Sequence, residues 1–193
     1  MKKHIYLFRH GQTHFNKDHK FTGWYDSKLT EKGVKDAKKV AALLKDKKFQ
    51  TAFQTTLSRS IDTLNYVLEY HPECNTIITD DRMTERSYGD LQEHSHKEII
   101  EKVGKEQFDI WHRSYDTPPP NGESIKDVES RVLPFIDDLL MYMQDNEVNV
   151  AISAHGNSMR PFRKYFENFS VKEMMKLENP WDDYFDYTID FKK

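Results

Sequence analysis

Two short segments hold the residues with the most chemistry to offer: Arg9-His10-Gly11 and His155-Gly156-Asn157-Ser158. Each joins a histidine, able to act as nucleophile or hydrogen-bond donor near neutral pH, to a glycine that permits close backbone approach. One His-Gly pair is common in turns; two at matching points of one fold are a stronger signal. The arginines add to it. Only eight of the 29 basic residues are arginine, so the general surface relies on lysine. Arg9, Arg59, Arg82, Arg86, Arg113, Arg160 and Arg163 fall near the candidate segments, and Arg131 falls apart from them. A guanidinium fork matches a phosphate bidentately, which lysine cannot do. Arg59 is expected in the first turn of a helix, where the dipole disfavours a cation by roughly 0.3–1 kcal/mol unless an anion binds there. Arg160 and Arg163 follow the second motif on a helix and are expected to make surface ion pairs.

These residue types together suit phosphoryl transfer through a phosphohistidine. That chemistry needs a neutral imidazole, cations on the phosphoryl oxygens and a proton donor for the leaving oxygen. His10 and His155 offer the nucleophile and the hydrogen-bond donor, and Arg9 and Arg59 the cations. Glu85 offers the acid if it is buried; its alternative is a surface pair with Arg82 or Arg86. Other chemistries lack their motifs. A zinc site from His10 and His14 on one helix face, or from His94 and His96, has no His-Glu-x-x-His pattern, and Cys74 is the single cysteine, so no metal is expected. There is no Walker loop, no Gly-x-Gly-x-x-Gly, and no Gly-x-Ser-x-Gly elbow around Ser153 or Ser158.

The elements that must position these residues alternate between strand and helix. Apolar runs predict strands over 4–9, 51–54, 75–79 and 148–154, with a last edge strand over 184–191. Helical spacing covers 34–44 behind an N-cap at Thr30, then 57–68, 98–103, 108–112, 128–143 with a kink at Pro134, and 158–166. Pro118-Pro119-Pro120-Asn121-Gly122 marks the main loop. The pattern predicts a three-layer α/β/α sandwich with a mostly parallel central sheet. Ligands in such sheets sit at the carboxyl ends of the strands, where both His-Gly pairs fall.

A chain of 193 residues suits one domain spanning 1–193. With 37% hydrophobic, 32% charged and 13% aromatic residues and a net charge of −3, it is expected to fold and to have no general affinity for nucleic acid. No apolar run approaches the roughly 20 residues of a membrane span, and the run near the amino terminus is too short for a secretory signal. A cytoplasmic protein is the expectation.

The segment LFRHGQTHFN at residues 7–16 resembles the signature of the histidine phosphatase superfamily. FTGWYDSKLTEKG at 21–33, MTERSYGDL at 83–91, IWHRSYDTPPP at 110–120, GESIKDVESRVLPF at 122–135 and AHGNSMR at 154–160 are similar to one branch of it, the cofactor-dependent phosphoglycerate mutases. The resemblance runs in family order to about residue 178. It implies a phosphorylated His10, a phosphoryl group held by Arg9, Arg59 and His155, and Glu85 as general acid and base. It places Asn16, Thr22, Gly23, Tyr88, Arg113, Gly156 and Asn157 on the substrate site. It further implies interconversion of 3-phosphoglycerate and 2-phosphoglycerate, 2,3-bisphosphoglycerate as phosphoryl primer, no metal, a small phosphorylated carboxylate as the partner, and a homo-oligomer.

The departures point toward a second activity. The first of two family arginines in the IWRRSYD segment is His112 here, and a family lysine falls near His96, with Lys97 next to it. The insertion many members carry between the proline loop and GES is nearly absent. Glu178-Asn179-Pro180-Trp181-Asp182-Asp183 replaces a Pro-Thr-Gly-Ile-Pro stretch, and no counterpart of the tail of longer members follows the last predicted strand. A more open pocket with histidines of pKa about 6.5 in place of permanent cations favours hydrolysis of small phosphorylated metabolites as the alternative. A catalytically idle phosphoprotein-binding module is disfavoured, because nucleophile, donor, acid and cations occur together.

Overall fold

The computed structural model describes residues 1–192. Five strands, β1 (Lys2–Arg9), β2 (Thr51–Gln54), β3 (Thr76–Thr79), β4 (Val150–Ala154) and β5 (Tyr184–Asp190), form one sheet in the order β3-β2-β4-β1-β5. The pairs among β3, β2, β4 and β1 are parallel, and β5 runs antiparallel along the β1 edge. The helices are α1 (His14–Lys17), α2 (Glu31–Leu44), α3 (Ser58–Leu68), α4 (His96–Val103), α5 (Lys105–Arg113), α6 (Ile125–Asn146), α7 (Gly156–Glu167) and α8 (Val171–Met175).

The continuous apolar run of β1 follows from its two covered faces. Ile5 and Leu7 join Val128, Val132 and Phe135 of α6 and Phe162 of α7 in one core layer. Tyr6 and Phe8 join Val40 and Leu44 of α2 and Leu64 and Val67 of α3 in the other. This is the expected three-layer sandwich. A third cluster, Phe21, Tyr88, Leu91, Ile99 and Phe108, carries α4 and α5 beside the strand ends.

Several elements begin where capping rather than periodicity dictates. Thr30 caps α2 through Gly33 N (3.0 Å). Ser95 with Glu98 and Ser124 with Asp127 form capping boxes, so α4 and α6 start two and three residues before the predicted 98 and 128. α7 starts at Gly156 rather than 158, directly behind His155. Pro134 lies inside α6 without ending it. The short α1 and α8 rest on the capping boxes of Thr13 with Asn16 and Ser170 with Glu173, and are too short to show a period. His10 is at a strand end and α1 begins at His14, so the two histidines do not share a helix face.

Candidate active site

The register of the sheet brings the two His-Gly segments together. Arg9 of β1 pairs with Ala154 of β4, and His10 N donates to Ala154 O (3.1 Å). The rings of His10 and His155 therefore lie 5.1 Å apart, inclined by 59°. Both are buried.

His10 is held in one tautomer. Its Nδ1–H donates to Gly11 O (2.7 Å), which leaves Nε2 with the lone pair a nucleophile needs. Gly11 N in turn donates to Thr63 Oγ1 of α3 (3.1 Å). Only glycine fits at position 11, because a Cβ there would lie 2.1 Å from Gly33 O. Burial first, then the charges of Arg59 and Arg9, push the His10 pKa well below its ordinary value, so the ring is neutral at pH 7.

The cradle around it is cationic. Arg59 is the second residue of α3 and is 1% exposed. Its Nη1 and Nη2 donate to Tyr25 O (2.8 Å) and Gly23 O (2.6 Å), and burial lowers its pKa to about 10. Ser60 and Ser153 exchange hydrogen bonds of 2.8 Å that lock α3 against β4, which fixes Arg59 near His155. Arg9 donates to Asn179 O (3.0 Å), while its Nε is buried without a partner among the described residues. His155 is bonded through Nε2 to Thr55 Oγ1 (2.8 Å), and its Nδ1 is also buried without a partner among them. Burial, Arg59, His10 and Arg9 hold His155 well below the usual imidazole range. Two guanidinium groups and two orphaned buried nitrogens around one neutral imidazole are complementary to an anion. Thr55 escaped the sequence reading, although it follows β2 just as the two histidines follow β1 and β4.

Glu85 is the carboxylate facing this cradle. It is buried, and its Oε1 accepts from Arg86 N (2.7 Å) and Asn157 N (3.2 Å), not from a surface arginine. Arg82 instead pairs with Asp80 and Asp138. Arg131, which the sequence set apart from the site, ties down the Glu85 loop: it donates to the carbonyls of Arg82 (2.7 Å), Thr84 (3.0 Å) and Glu85 (2.9 Å) and pairs with Glu123. Arg160 makes no ion pair among the described residues, and the pair that Arg163 makes with Glu167 is largely buried rather than on the surface. Arg160 donates to Met174 O and Met175 O, and Arg163 is buried against Asn179 and Glu167.

These groups open on a cavity of about 290 Å³ lined by Arg9, His10, Arg59 and Glu85, and by Asn16, Thr22, Gly23, Tyr88 and Asn157. His19, Lys20, Phe21, His96, His112 and Trp181 complete the lining. His155 and Gly156 stand behind Arg9 and His10, and Arg113 is exposed outside the lining. His96 begins α4 and faces the cavity, whereas Lys97 is 87% exposed and pairs with Glu101. Burial, with Arg113 and His96, depresses the His112 pKa to about 3, and burial with His19 and Arg113 lowers that of His96. His96 and His112 thus line the cavity as neutral imidazoles at pH 7, with Lys20 the permanent cation among the described lining residues outside the cradle. No group of described histidines, cysteines or carboxylates has the arrangement of a metal site.

Two consequences are measurable. The folded chain keeps His10, His155 and His112 neutral where an unfolded chain protonates them, so acidification favours unfolding. As pH falls from 6.5 to 5.5, stability should drop by about 3 kcal/mol, roughly 1 per histidine. Urea titration in phosphate-free buffer reads this directly, and an unchanged midpoint would contradict the burial of neutral rings. Secondly, a Cβ on Gly156 would meet the Arg9 guanidinium at 3.3 Å. Gly156→Ala should weaken phosphate binding by about three- to tenfold through displacement of Arg9, with little change in thermal midpoint.

A family model for the histidine phosphatase superfamily (branch 1) matches residues 5–186. The chain is 37% identical to 2,3-bisphosphoglycerate-dependent phosphoglycerate mutase 1 of Lactobacillus johnsonii, covering 97% of this chain and 94% of that one. It is 40% identical to a phosphoglycerate mutase of Schizosaccharomyces pombe, covering 90% and 84%. Among solved structures, a mycobacterial glucosyl-3-phosphoglycerate phosphatase shares the fold with a TM-score of 0.83 at 22% identity, over 97% of this chain and 91% of that one. With that match and those identities, the chain belongs to the histidine phosphatase superfamily.

Proposed function

We propose that this chain, one domain over 1–193, interconverts 3-phosphoglycerate and 2-phosphoglycerate through a phosphohistidine at His10. The observation that carries the reading is the His10 ring itself: buried, neutral, donating from Nδ1 to Gly11 O, and set among Arg9, Arg59 and His155. His10 Nε2 is the nucleophile. Arg9 and Arg59 offset the charge on the phosphoryl oxygens, and His155 Nδ1–H donates a hydrogen bond to one of them. Glu85 gives a proton to the departing hydroxyl and takes one from the attacking hydroxyl. Asn16, Thr22, Gly23, Tyr88 and Asn157 hold the glycerate, Gly156 backs Arg9, and Arg113 serves the rim. The orphaned nitrogens of Arg9 and His155 fit one end of 2,3-bisphosphoglycerate, which when bound supplies the phosphoryl group that charges His10. The relatives named as mutases support this choice of reaction. No described helix is long and apolar enough to cross a membrane, and we place the enzyme in the cytoplasm as a homo-oligomer on the family resemblance alone.

A second reading, hydrolysis of small phosphorylated metabolites, is favoured by one observation: the neutral His96 and His112 hold a second anion weakly at pH 7. Purified protein with excess chelator, 3-phosphoglycerate and a trace of 2,3-bisphosphoglycerate separates the two. Fast 2-phosphoglycerate formation, read by coupling to enolase, with little free phosphate is the expected result. Phosphate release without isomerisation would replace the mutase by the phosphatase.

A further inference from the structure

Trp181 lines the same cavity as His10, yet none of the roles above uses it. Its ring lies 5.1 Å from Arg9 Cζ, and Lys32 Nζ stands 4.9 Å from the same ring. The Arg9 guanidinium is flanked by this indole and by Gly156. The segment carrying Trp181 is pinned to the site. Asn179 O accepts from Arg9 Nη1 (3.0 Å), Asn179 Nδ2 donates to Gly156 O (2.8 Å), and Asn179 Oδ1 accepts from Arg163 (3.0 Å). Beyond the tryptophan, Asp182 pairs with Lys39 of α2 (2.7 Å). The indole Nε1 is itself buried without a partner among the described residues. A buried N–H on a cavity wall with no protein acceptor is satisfied when a ligand supplies an oxygen.

We propose that Trp181 is a positioning residue for Arg9 and the wall that keeps water from the charged His10, with its Nε1–H reserved for an oxygen of the bound substrate. The inference rests on the phosphohistidine reading above. In the unwanted reaction a water oxygen forms a bond to phosphorus as the P–Nε2 bond breaks. The electron pair returns to His10, the water proton passes to Glu85, and phosphate leaves. An apolar ring on the cavity wall against Arg9 fills space that free water would otherwise occupy beside His10, and its face holds the guanidinium by a cation–π contact. Water and a glycerate hydroxyl attack along the same line opposite Nε2, but bound glycerate carries its hydroxyl there, whereas free water must first fill the pocket. Trp181 therefore acts on the partition between transfer and hydrolysis.

The test charges the wild type, Trp181→Ala and Trp181→Phe with radiolabelled 2,3-bisphosphoglycerate, removes the excess, and follows label on protein and in free phosphate. Trp181→Ala should discharge to water at least about tenfold faster than wild type, and its ratio of phosphatase to mutase turnover should rise by a similar factor. Trp181→Phe keeps a ring over Arg9 but no N–H. It should hold its label within about threefold of wild type while the KM for 3-phosphoglycerate rises. Trp181→Leu keeps an apolar side chain but no ring face over Arg9 and should discharge severalfold faster than wild type even if Trp181→Ala does not fold. Label retained as in wild type by Trp181→Ala, or by Trp181→Leu where Trp181→Ala does not fold, overturns the proposal. A wild type that takes no label overturns the phosphohistidine reading beneath it, before any variant is compared.

Discussion

His10→Ala should abolish turnover, by about 10⁴-fold or more, while inorganic phosphate still binds within a few-fold of wild type. The proposed nucleophile and the anion cradle are separate side chains. Removing the imidazole ring takes away the atom proposed to carry the phosphoryl group. His155 cannot replace it, because its Nε2 is committed to Thr55 Oγ1 and its Nδ1 belongs to the cradle. Arg59 remains anchored through Tyr25 O and Gly23 O, and Arg9 through Asn179 O, since none of these contacts passes through His10. Phosphate affinity measured by calorimetry beside turnover reads both halves. A His10→Ala protein with substantial mutase activity would end the covalent mechanism, and loss of phosphate binding would mean that His10 is part of the cradle instead.

Glu85→Gln should slow phosphoryl transfer by about 10²–10⁴-fold with KM changed only a few-fold. Glutamine keeps an oxygen to accept from Arg86 N and Asn157 N, so the loop that Arg131 braces stays in place. What is lost is the exchangeable proton. The leaving group distinguishes this from a general defect. An alkoxide leaving from glycerate needs protonation, whereas a nitrophenolate does not, so charging of His10 by p-nitrophenyl phosphate, read as the burst of nitrophenolate, should suffer much less than charging by 2,3-bisphosphoglycerate. Equal losses of charging rate with both donors would remove Glu85 from the acid role and make it a structural anchor of the Arg131 loop.

The parts of the site that could be read along the chain are those attached to regular elements by one or two residues. His10 and His155 follow buried strands, and the apolar runs that mark those strands also mark their carboxyl ends. Arg59 follows from the helix after β2 in the same way. Where an element began depended on caps, and short helices stabilised by one capping box leave no period to detect. Arg131 lies mid-helix about 45 residues from Glu85 in sequence; its part in holding that loop exists only because α6 packs beside it. Choosing between His96 and Lys97 required knowing which direction the first turn of α4 faces, and that depends on Ser95 as its cap and Ile99 as its buried anchor.

The amino-acid sequence by itself determined the alternation of strands and helices, the two His-Gly turns, the arginine fork chemistry and the absence of metal motifs, because each is a local matter of residue type and spacing. The tertiary structure alone decided that β1 and β4 lie side by side, so that the rings of two histidines 145 positions apart come within 5.1 Å. It also decided that burial holds the His112 pKa low and that the Trp181 ring lies 5.1 Å from Arg9 Cζ. Burial and strand order arise from the packing of distant segments, and no window of sequence contains them.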